Sequence, residues 1–195
     1  MNETVKAHLT SPASGAFVKL GNAESRAKTG DDLLGSTQPL VMSPVVIAMW
    51  RPMAETLGWP DKQLGWADIH EQARNEKGWA AHGKAHWGAF KFGHTHPEHS
   101  NSGLISLFAE VYAASGKQRN LTLEDVQKPA TGEYLAAIES AVVHYGKSTG
   151  FFGRKMFGNG PAYLSAAVLY ENMVIESYDH QLPFPIVAIY PKEGT

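Results

Sequence analysis

The stretch FKFGHTHPEHSNSG, residues 90–103, carries the strongest local signal in the sequence. Its apolar beginning predicts a short strand over residues 89–92, and its polar end predicts a helix start capped by Ser100 or Ser102. The first N–H groups of a helix lack partners inside it, and the helix dipole favours negative charge there. Because small side chains let a ligand approach those donors, the stretch predicts a site for an oxyanion or carboxylate. The alternative is that the serine only caps the helix.

Outward from this stretch, predicted strands alternate with predicted helices. Further strands are expected at 167–170, at 185–190 and, bent or divided by a proline, at 40–50. Further helices are expected at 53–57, 66–74, 131–145 and 171–178. This alternation predicts an α/β layered domain with a largely parallel sheet, in which ligands bind beyond the carboxyl ends of the strands. Residues 1–38 are weakly patterned, and neither a long strand nor a strongly amphipathic helix is predicted there.

The composition excludes several classes of protein. The 195 residues carry a net charge of −2, and no cluster of basic residues marks a nucleic-acid interface. The chain has no cysteine, which excludes disulfides, thiolate metal sites and a cysteine nucleophile. The N-terminus lacks the apolar segment of a signal peptide, and no run of about 18 apolar residues predicts a membrane helix. We therefore expect a soluble globular protein with one sizeable core and at most two lobes.

His94, His96 and His99 form a second candidate site. Two histidines at i and i+2 on a strand end point the same way, and the third follows three residues later, which is plausible spacing for metal ligands. The run also approximates the His-x-His-x-Asp-His signature of binuclear metallohydrolases, with Glu98 in place of the Asp. A metal-dependent hydrolase is therefore the alternative to a non-catalytic binding site. Apart from that alternative, we predict no catalytic residue, no metal and no cofactor.

Three stretches resemble one family by their order and spacing: SPVVIAMW (43–50), HTHPEHSNSGL (94–104) and GPAYLSAAVLYEN (160–172). They resemble the type II periplasmic binding proteins of ABC transporters, and most closely the bacterial solute-binding domains joined to von Willebrand factor A domains. The resemblance implies two α/β lobes with a ligand held in the cleft between them. LVMSPVVIAMW (40–50) and PIVAIYP (185–191) would be the two hinge crossings.

On this map the chain is mostly one three-layer α/β lobe with two hinge strands and an incomplete first lobe. Residues 1–39 would be a partly irregular remnant of the first lobe, and residues 40–191 the second lobe with its hinge strands. Residues 192–195 would start the return to the first lobe. The resemblance thus implies a partial chain, with self-association through the incomplete lobe. It also implies a periplasmic or cell-surface location and, as a partner, a membrane transporter or a von Willebrand factor A domain.

The same resemblance implies ligand contacts by residues with hydroxyl or amide side chains. They are Thr95, Ser100, Asn101 and Ser102 from the helix start, Ser43 near a hinge, Tyr163 and Ser165 after the Gly-Pro turn, and Ser11 and Ser14 from the first lobe. Sulfate- and molybdate-type relatives carry an Asp where this sequence has Leu164-Ser165, so the ligand chemistry there would differ.

Three functions remain open at this point. The first is a solute-binding module, not an enzyme, that captures a small polar or anionic ligand for uptake or sensing. The second is the metal-dependent hydrolase described above. The third is a non-catalytic protein-interaction domain, in which the helix start is only a cap. The residues suit a dianion such as sulfate or molybdate, and they suit a carboxylate or a polar sugar as well.

Overall fold

The computed structural model describes residues 8–194 of the chain. The chain divides into two compact units, Met1–Met42 and Ser43–Thr195. All members of the hydrophobic core cluster belong to the second unit, where they lie between Val45 and Ile189. No helix within the described residues is both long and apolar enough to cross a membrane.

The first unit contains the helix α1 (Gly15–Thr29). Its start is capped by the Ser14 side chain, which accepts a hydrogen bond from the N–H of Ala16. Its end is a left-handed glycine, Gly30, whose N–H donates to the carbonyl of Arg26. The sequence predicts no strongly amphipathic helix in residues 1–38, and α1 agrees with this, since its only buried residues are Val18 and Asn22. The helix carries only a narrow buried face, so the apolar periodicity that marks most helices is weak here.

The second unit alternates strands and helices along most of its length. In chain order it contains β1 (Val45–Trp50), α2 (Arg51–Thr56), α3 (Trp66–Arg74), β2 (Phe92–Thr95), α4 (Asn101–Ser115), α5 (Leu123–Gln127), α6 (Pro129–Ser140), β3 (Val142–Gly146), α7 (Thr149–Asn159), β4 (Ala166–Tyr170), α8 (Glu171–Glu176) and β5 (Ile186–Ile189). Short 3-10 turns occupy Gly78–His82, Ala85–Trp87 and Ser177–Asp179. The predicted elements that became α3, α4, β4, α8 and β5 are confirmed.

Three strands form an antiparallel sheet in the order β4-β1-β5. All six residues of β1 are buried, and Ile47 pairs with Val168 on one side and with Ile189 on the other. The continuous apolar run of β1 follows from this position, because a central strand covered on both faces has no solvent side. The strand begins only after Pro44, and the exposed residues 40–43 before it are not part of a strand.

The other two strands, β2 and β3, pair in parallel. The two sheets adjoin at the starts of β2 and β4, where the carbonyl of Lys91 accepts hydrogen bonds from the N–H groups of Ser165 (2.8 Å) and Ala166 (3.3 Å). The expectation of a largely parallel sheet is confirmed only for β2 and β3, because β1 runs against both of its neighbours. The strand predicted at 89–92 lies instead at Phe92–Thr95, so it reaches further into the histidine segment.

A second correction concerns residues 131–145, which the sequence predicts as one helix. The helix α6 already starts at Pro129, with Lys128 at its N-cap, and it ends at Ser140. The residues that follow form β3, so Val142 and Tyr145 belong to a strand. Gly146, which directly follows the predicted helix, is therefore the last residue of a strand.

Two buried tryptophans hold the start of β4 by hydrogen bonds from their indole N–H groups. Trp50, Trp66 and Trp79 are fully buried. The indole N–H of Trp50 donates to the carbonyl of Leu164 (2.8 Å), and the indole N–H of Trp79 donates to the Ser165 hydroxyl (3.0 Å). These two bonds hold the start of β4 in the core, because each satisfies a polar group that burial would otherwise leave unpaired.

Candidate functional site

The candidate site lies at the carboxyl ends of the parallel strands β2 and β3. The last residues of the two strands, Thr95 and Gly146, are register partners, and the N–H of His96 donates to the carbonyl of Gly146 (2.8 Å). A helix begins a few residues after each strand, α4 after β2 and α7 after β3. Two helix N-termini therefore meet at one edge of the sheet, and we call them the paired helix starts.

Four hydroxyl groups join the paired helix starts, and we call them the hydroxyl cluster: Thr95, Ser100, Ser102 and Thr149. The Ser102 hydroxyl lies 2.7 Å from the hydroxyls of both Thr95 and Thr149, and 3.2 Å from that of Ser100. Thr95, Ser102 and Thr149 are buried, whereas Ser100 is half-buried. The cluster thus links the end of β2 to the first turns of both helices.

Gly103 explains how α4 approaches the end of β2 so closely. A Cβ atom at this position would lie 2.1 Å from the carbonyl oxygen of Thr95, well inside van der Waals contact. A residue with any side chain would push the helix away from the strand. Glycine therefore allows the close contact that brings Ser102 within hydrogen-bond distance of Thr95.

The first turns of α4 and α7 are not capped by the side chains of their N-cap residues. The N-cap residues Ser100 and Ser148 have extended backbones, and within the described chain neither side chain makes a capping hydrogen bond to its own helix. The first N–H groups of both helices thus lack the usual side-chain acceptor. Ser148 and the neighbouring Lys147 are exposed, so this side of the site is open to solvent.

Asn101 adds an amide to the same edge. Its Nδ2 donates to the hydroxyl of Tyr170, the last residue of β4, at 3.0 Å. Its Oδ1 is buried, and among residues 8–194 it has no hydrogen-bond partner. Ser43 lies at the same end of β4, since the carbonyl of its neighbour Pro44 accepts the N–H of Glu171 (2.9 Å). The amide nitrogen of Asn101 is therefore bonded to Tyr170, whereas its buried oxygen could accept a hydrogen bond from a ligand.

The structure does not bring every predicted contact to this edge. Ser165 is buried before the start of β4, at the opposite end of that strand from Tyr170, and its hydroxyl accepts hydrogen bonds from Trp79 and from the N–H of Lys91. Tyr163 precedes it, and burial raises the pKa of its phenol. The Ser165 hydroxyl thus joins Trp79 to the backbone before β2, and the ligand contacts predicted for Tyr163 and Ser165 stay predictions.

Ser11 and Ser14 belong to the first unit, where Ser11 is exposed and Ser14 caps α1. Their predicted contribution to ligand binding stays a prediction.

Sequence reasoning missed the second helix start. The segment YGKSTG, residues 145–150, follows β3 as HSNSG follows β2, and each segment places hydroxyl residues and a glycine at a helix start. The second helix start could be predicted only if Val142–Gly146 was recognised as a strand. With that segment assigned to a helix, Ser148 and Thr149 had no strand end to follow.

The structure places His94 apart from His96 and His99. His94 is fully buried inside the second unit, whereas His96 is half-buried and His99 is exposed. Within the described residues, the potential metal-ligating atoms fall into two separate groups: His94 with Glu110 and Glu139, and His96 with Glu98 and His99. Within those residues, the three histidines therefore do not fall into one group.

The buried group has unusual electrostatics. The Nε2 atom of His94 lies 3.0 Å from Glu139, and the Tyr145 hydroxyl donates to the other oxygen of that carboxylate. Burial, together with the negative charge of Glu139, raises the pKa of Glu110 well above its usual range. Burial would also raise the pKa of Glu139, but hydrogen bonds and the charge of His94 outweigh it and lower that pKa. Two neighbouring carboxyl groups thus have opposite pKa shifts.

No protein-family model and no curated protein matches the sequence. Among solved structures, the chain is similar to the periplasmic binding protein P5PA, with a TM-score of 0.50, 15% identity, and coverage of 87% of this chain and 42% of that one. It is also similar to an ABC transporter structure from Clostridium perfringens ATCC 13124, with a TM-score of 0.52, 13% identity, and coverage of 93% of this chain and 48% of that one.

The chain thus spans less than half the length of each of these two proteins. At such low identities the similarity concerns the fold alone. The helices and small sheets described above form a mixed α/β fold similar to that of periplasmic solute-binding proteins.

Proposed function

We infer that the chain is a non-catalytic solute-binding module, which captures a small anionic or polar ligand at the paired helix starts. The observation that carries this proposal is that Ser102 joins the first turns of α4 and α7 through hydroxyl contacts. Helices of 15 and 11 residues meet there with uncapped first turns. Two helix starts that face one place favour negative charge there more than either does alone.

The described geometry divides the predicted contacts into two roles. Thr95 and Ser102 are fully buried, so they hold the helix starts in position and are poorly placed to touch a ligand themselves. The ligand would be bound by N–H groups of both first turns, by the hydroxyls of Ser100 and Ser148, and by the Asn101 amide. Fixed donors of this kind bind an anion without a large entropic cost of ordering side chains.

The chemistry favours a ligand of low charge over a highly charged one. Within residues 95–103 and 146–151, the only Lys or Arg is Lys147. A carboxylate or a single oxyanion such as sulfate, phosphate or molybdate suits backbone and hydroxyl donors of this kind. A polyphosphate would need more cationic groups than these segments supply.

A wider proposal follows from the family resemblance and from the fold of the two similar structures. In it, residues 40–191 are the second lobe of a type II periplasmic binding protein with its hinge strands, and residues 1–39 and 192–195 belong to the first lobe. Ligand would favour closure of the two lobes, which a membrane transporter or a von Willebrand factor A domain would recognise. Ser43 would contact the ligand from the hinge, and the protein would act in the periplasm or at the cell surface.

A charge placed at one helix start provides the test. We suggest Ser148→Asp, because aspartate is an excellent N-cap whose carboxylate would occupy the place of the anion. The matched control is Asn159→Asp, which adds the same charge to α7 at its exposed C-terminal end, about 16 Å away along the helix. Thermal unfolding is measured in anion-poor buffer and then with sulfate, phosphate, molybdate, acetate or a neutral sugar.

We expect at least one anion to raise the melting temperature of the wild type and of Asn159→Asp, but not of Ser148→Asp. Without added anion, Ser148→Asp should be more stable than wild type by about 0.3–1 kcal/mol, and Asn159→Asp less stable by a similar amount. An equal anion-induced shift in Ser148→Asp would place the binding elsewhere. No shift with any compound would favour the protein-interaction alternative.

A further inference from the structure

We propose that His94, Glu110 and Glu139 form a buried binding site for a transition-metal dication such as Zn²⁺. The three residues come from β2, α4 and α6, so only the folded second unit brings them together. Their potential ligand atoms all lie within 4.8 Å of one another, and Nε2 of His94 is 3.0 Å from Oε1 of Glu139. Ligands of tetrahedral zinc are separated by about 3.3 Å, given metal–ligand bonds of about 2.0–2.1 Å.

The orientation of His94 suits a metal ligand. Its Nδ1 lies 2.8 Å from the backbone carbonyl of Thr95, which can only accept a hydrogen bond, so Nδ1 carries the proton. The other nitrogen, Nε2, then faces the two carboxylates. A histidine whose second nitrogen donates to a backbone carbonyl is the usual arrangement around protein-bound zinc, because that bond fixes the ring and its tautomer.

Glu110 supplies an independent indication that something is bound. Its side chain is fully buried, and within the described part of the chain neither carboxylate oxygen has a hydrogen-bond partner. Burying a polar group without a partner is unfavourable, so native proteins almost always satisfy such groups. A metal ion between Glu110, His94 and Glu139 would give the Glu110 carboxylate the partner that it lacks.

The charges also balance. Once Glu110 releases its proton on metal binding, two carboxylates and a neutral imidazole carry a total charge of −2, which a divalent cation neutralises. One nitrogen and two carboxylate groups suit Zn²⁺, Mn²⁺ or Fe²⁺, whereas Ca²⁺ would require six to eight oxygen ligands. Tyr145 donates to the second oxygen of Glu139 and would hold that carboxylate in place.

The site is separate from the paired helix starts, although the two are adjacent through His94 and Thr95. An ion can reach it from the side of Glu139, whose side chain is 23% exposed, past the exposed Tyr145. This group differs from the metal site expected from the sequence. It keeps His94, but Glu110 and Glu139 take the places of His96 and His99.

The test compares this group with the exposed group of His96, Glu98 and His99. The full chain, stripped of metal with EDTA, is titrated with Zn²⁺ by calorimetry and with Co²⁺ by visible absorption. The variants are Glu110→Gln, which keeps the shape of the buried side chain, and His99→Ala, which disrupts only the exposed group. Circular dichroism and thermal unfolding without metal establish that both variants fold.

We expect wild type and His99→Ala to bind one Zn²⁺ per chain with similar affinity and to show the absorption of nitrogen- and oxygen-bound Co²⁺. Glu110→Gln should bind at least about tenfold more weakly. Unchanged affinity in a folded Glu110→Gln variant, loss of binding in His99→Ala, or no binding by wild type would each overturn the proposal. Anion binding is measured with EDTA present, so failure of this site and failure of the proposed solute site are distinguishable.

Discussion

At the scale of single residues, Ser102 joins the two helix starts through one hydroxyl. That hydroxyl lies 2.7 Å from those of Thr95 and Thr149, and all three are buried. Replacing Ser102 with alanine would leave two buried hydroxyls without their shared partner, at a cost of about 1–3 kcal/mol. We expect urea denaturation to show a loss of that size in the free energy of unfolding.

The control for this prediction is Ser140→Ala. Ser140 is exposed, and its hydroxyl donates to a backbone carbonyl one turn earlier, so its removal should change the free energy of unfolding by less than about 0.5 kcal/mol. Similar small losses in the two variants would show that the hydroxyl cluster does not hold the helix starts together.

Replacing two helical glycines with alanine should change the stability of the protein in opposite directions. A Cβ at Gly103 would lie 2.1 Å from the Thr95 carbonyl oxygen, so Gly103→Ala must displace α4 and should cost at least about 1–3 kcal/mol. A Cβ at Gly132 in α6 meets nothing within 4 Å among the described residues, so Gly132→Ala should stabilise the protein by about 0.5–1 kcal/mol. Thermal unfolding of both variants checks this, and equal effects would contradict the close approach of α4 to β2.

The sequence predicts the residues at the start of α4 but not their partner at the start of α7. Ser100, Asn101 and Ser102 are recognisable because they are adjacent and follow a strand. Their partner Thr149 is 47 residues from Ser102, and only the pairing of β2 with β3 brings the two together. Ser165, by contrast, lies in a motif that suggests a ligand contact, but its hydroxyl accepts a hydrogen bond from Trp79 in the core.

At the scale of elements, the boundary between α6 and β3 shows why local patterns are insufficient. The apolar spacing of α6 continues through Ala141 and Val142 to Tyr145, so nothing local ends the helix before Gly146. In the folded chain, the carbonyl of Ala141 accepts the N–H of Phe92 (2.8 Å), and β3 then pairs with β2. The partner strand, which is distant in sequence, decides between helix and strand.

The link between α4, α5 and α6 leads to a prediction about pH. A hydrogen bond from Lys117, followed by hydrogen bonds from the N–H and hydroxyl of Thr122 and from Lys128, holds the pKa of Asp125 well below its usual value of 3.8. Because the folded state favours the carboxylate, this stabilisation is present above pH 3.8 and is lost as the pH falls below it. Asp125→Asn should therefore lower the melting temperature at pH 7, with a smaller difference from wild type below pH 3.8.

The control for Asp125 is Asp61→Asn, which removes an exposed carboxylate. Melting temperatures of the three proteins are measured from acidic to neutral pH. We expect Asp61→Asn to follow the wild type across that range. A constant difference between Asp125→Asn and wild type at every pH would show that the mutation acts through packing and not through the charge.

At the scale of the whole molecule, the order of elements was predictable and their pairing was not. Strands and helices alternate as expected, and the mixed α/β fold is similar to that of a periplasmic binding protein. The direction of β1 could not be predicted, since both of its partners, β4 and β5, lie near the other end of the chain. An apolar run such as VVIAMW fits a buried strand of either direction.

The division of the chain into two units allows one further prediction. Every member of the hydrophobic core cluster and both paired helix starts belong to residues 43–195. A fragment of those residues should therefore unfold cooperatively, and its melting temperature should rise with the same anions as that of the full chain. Calorimetric unfolding of both proteins, with and without anion, measures this. A folded fragment that no longer responds to anions would instead show that the first unit contributes to the site, as predicted for Ser11 and Ser14.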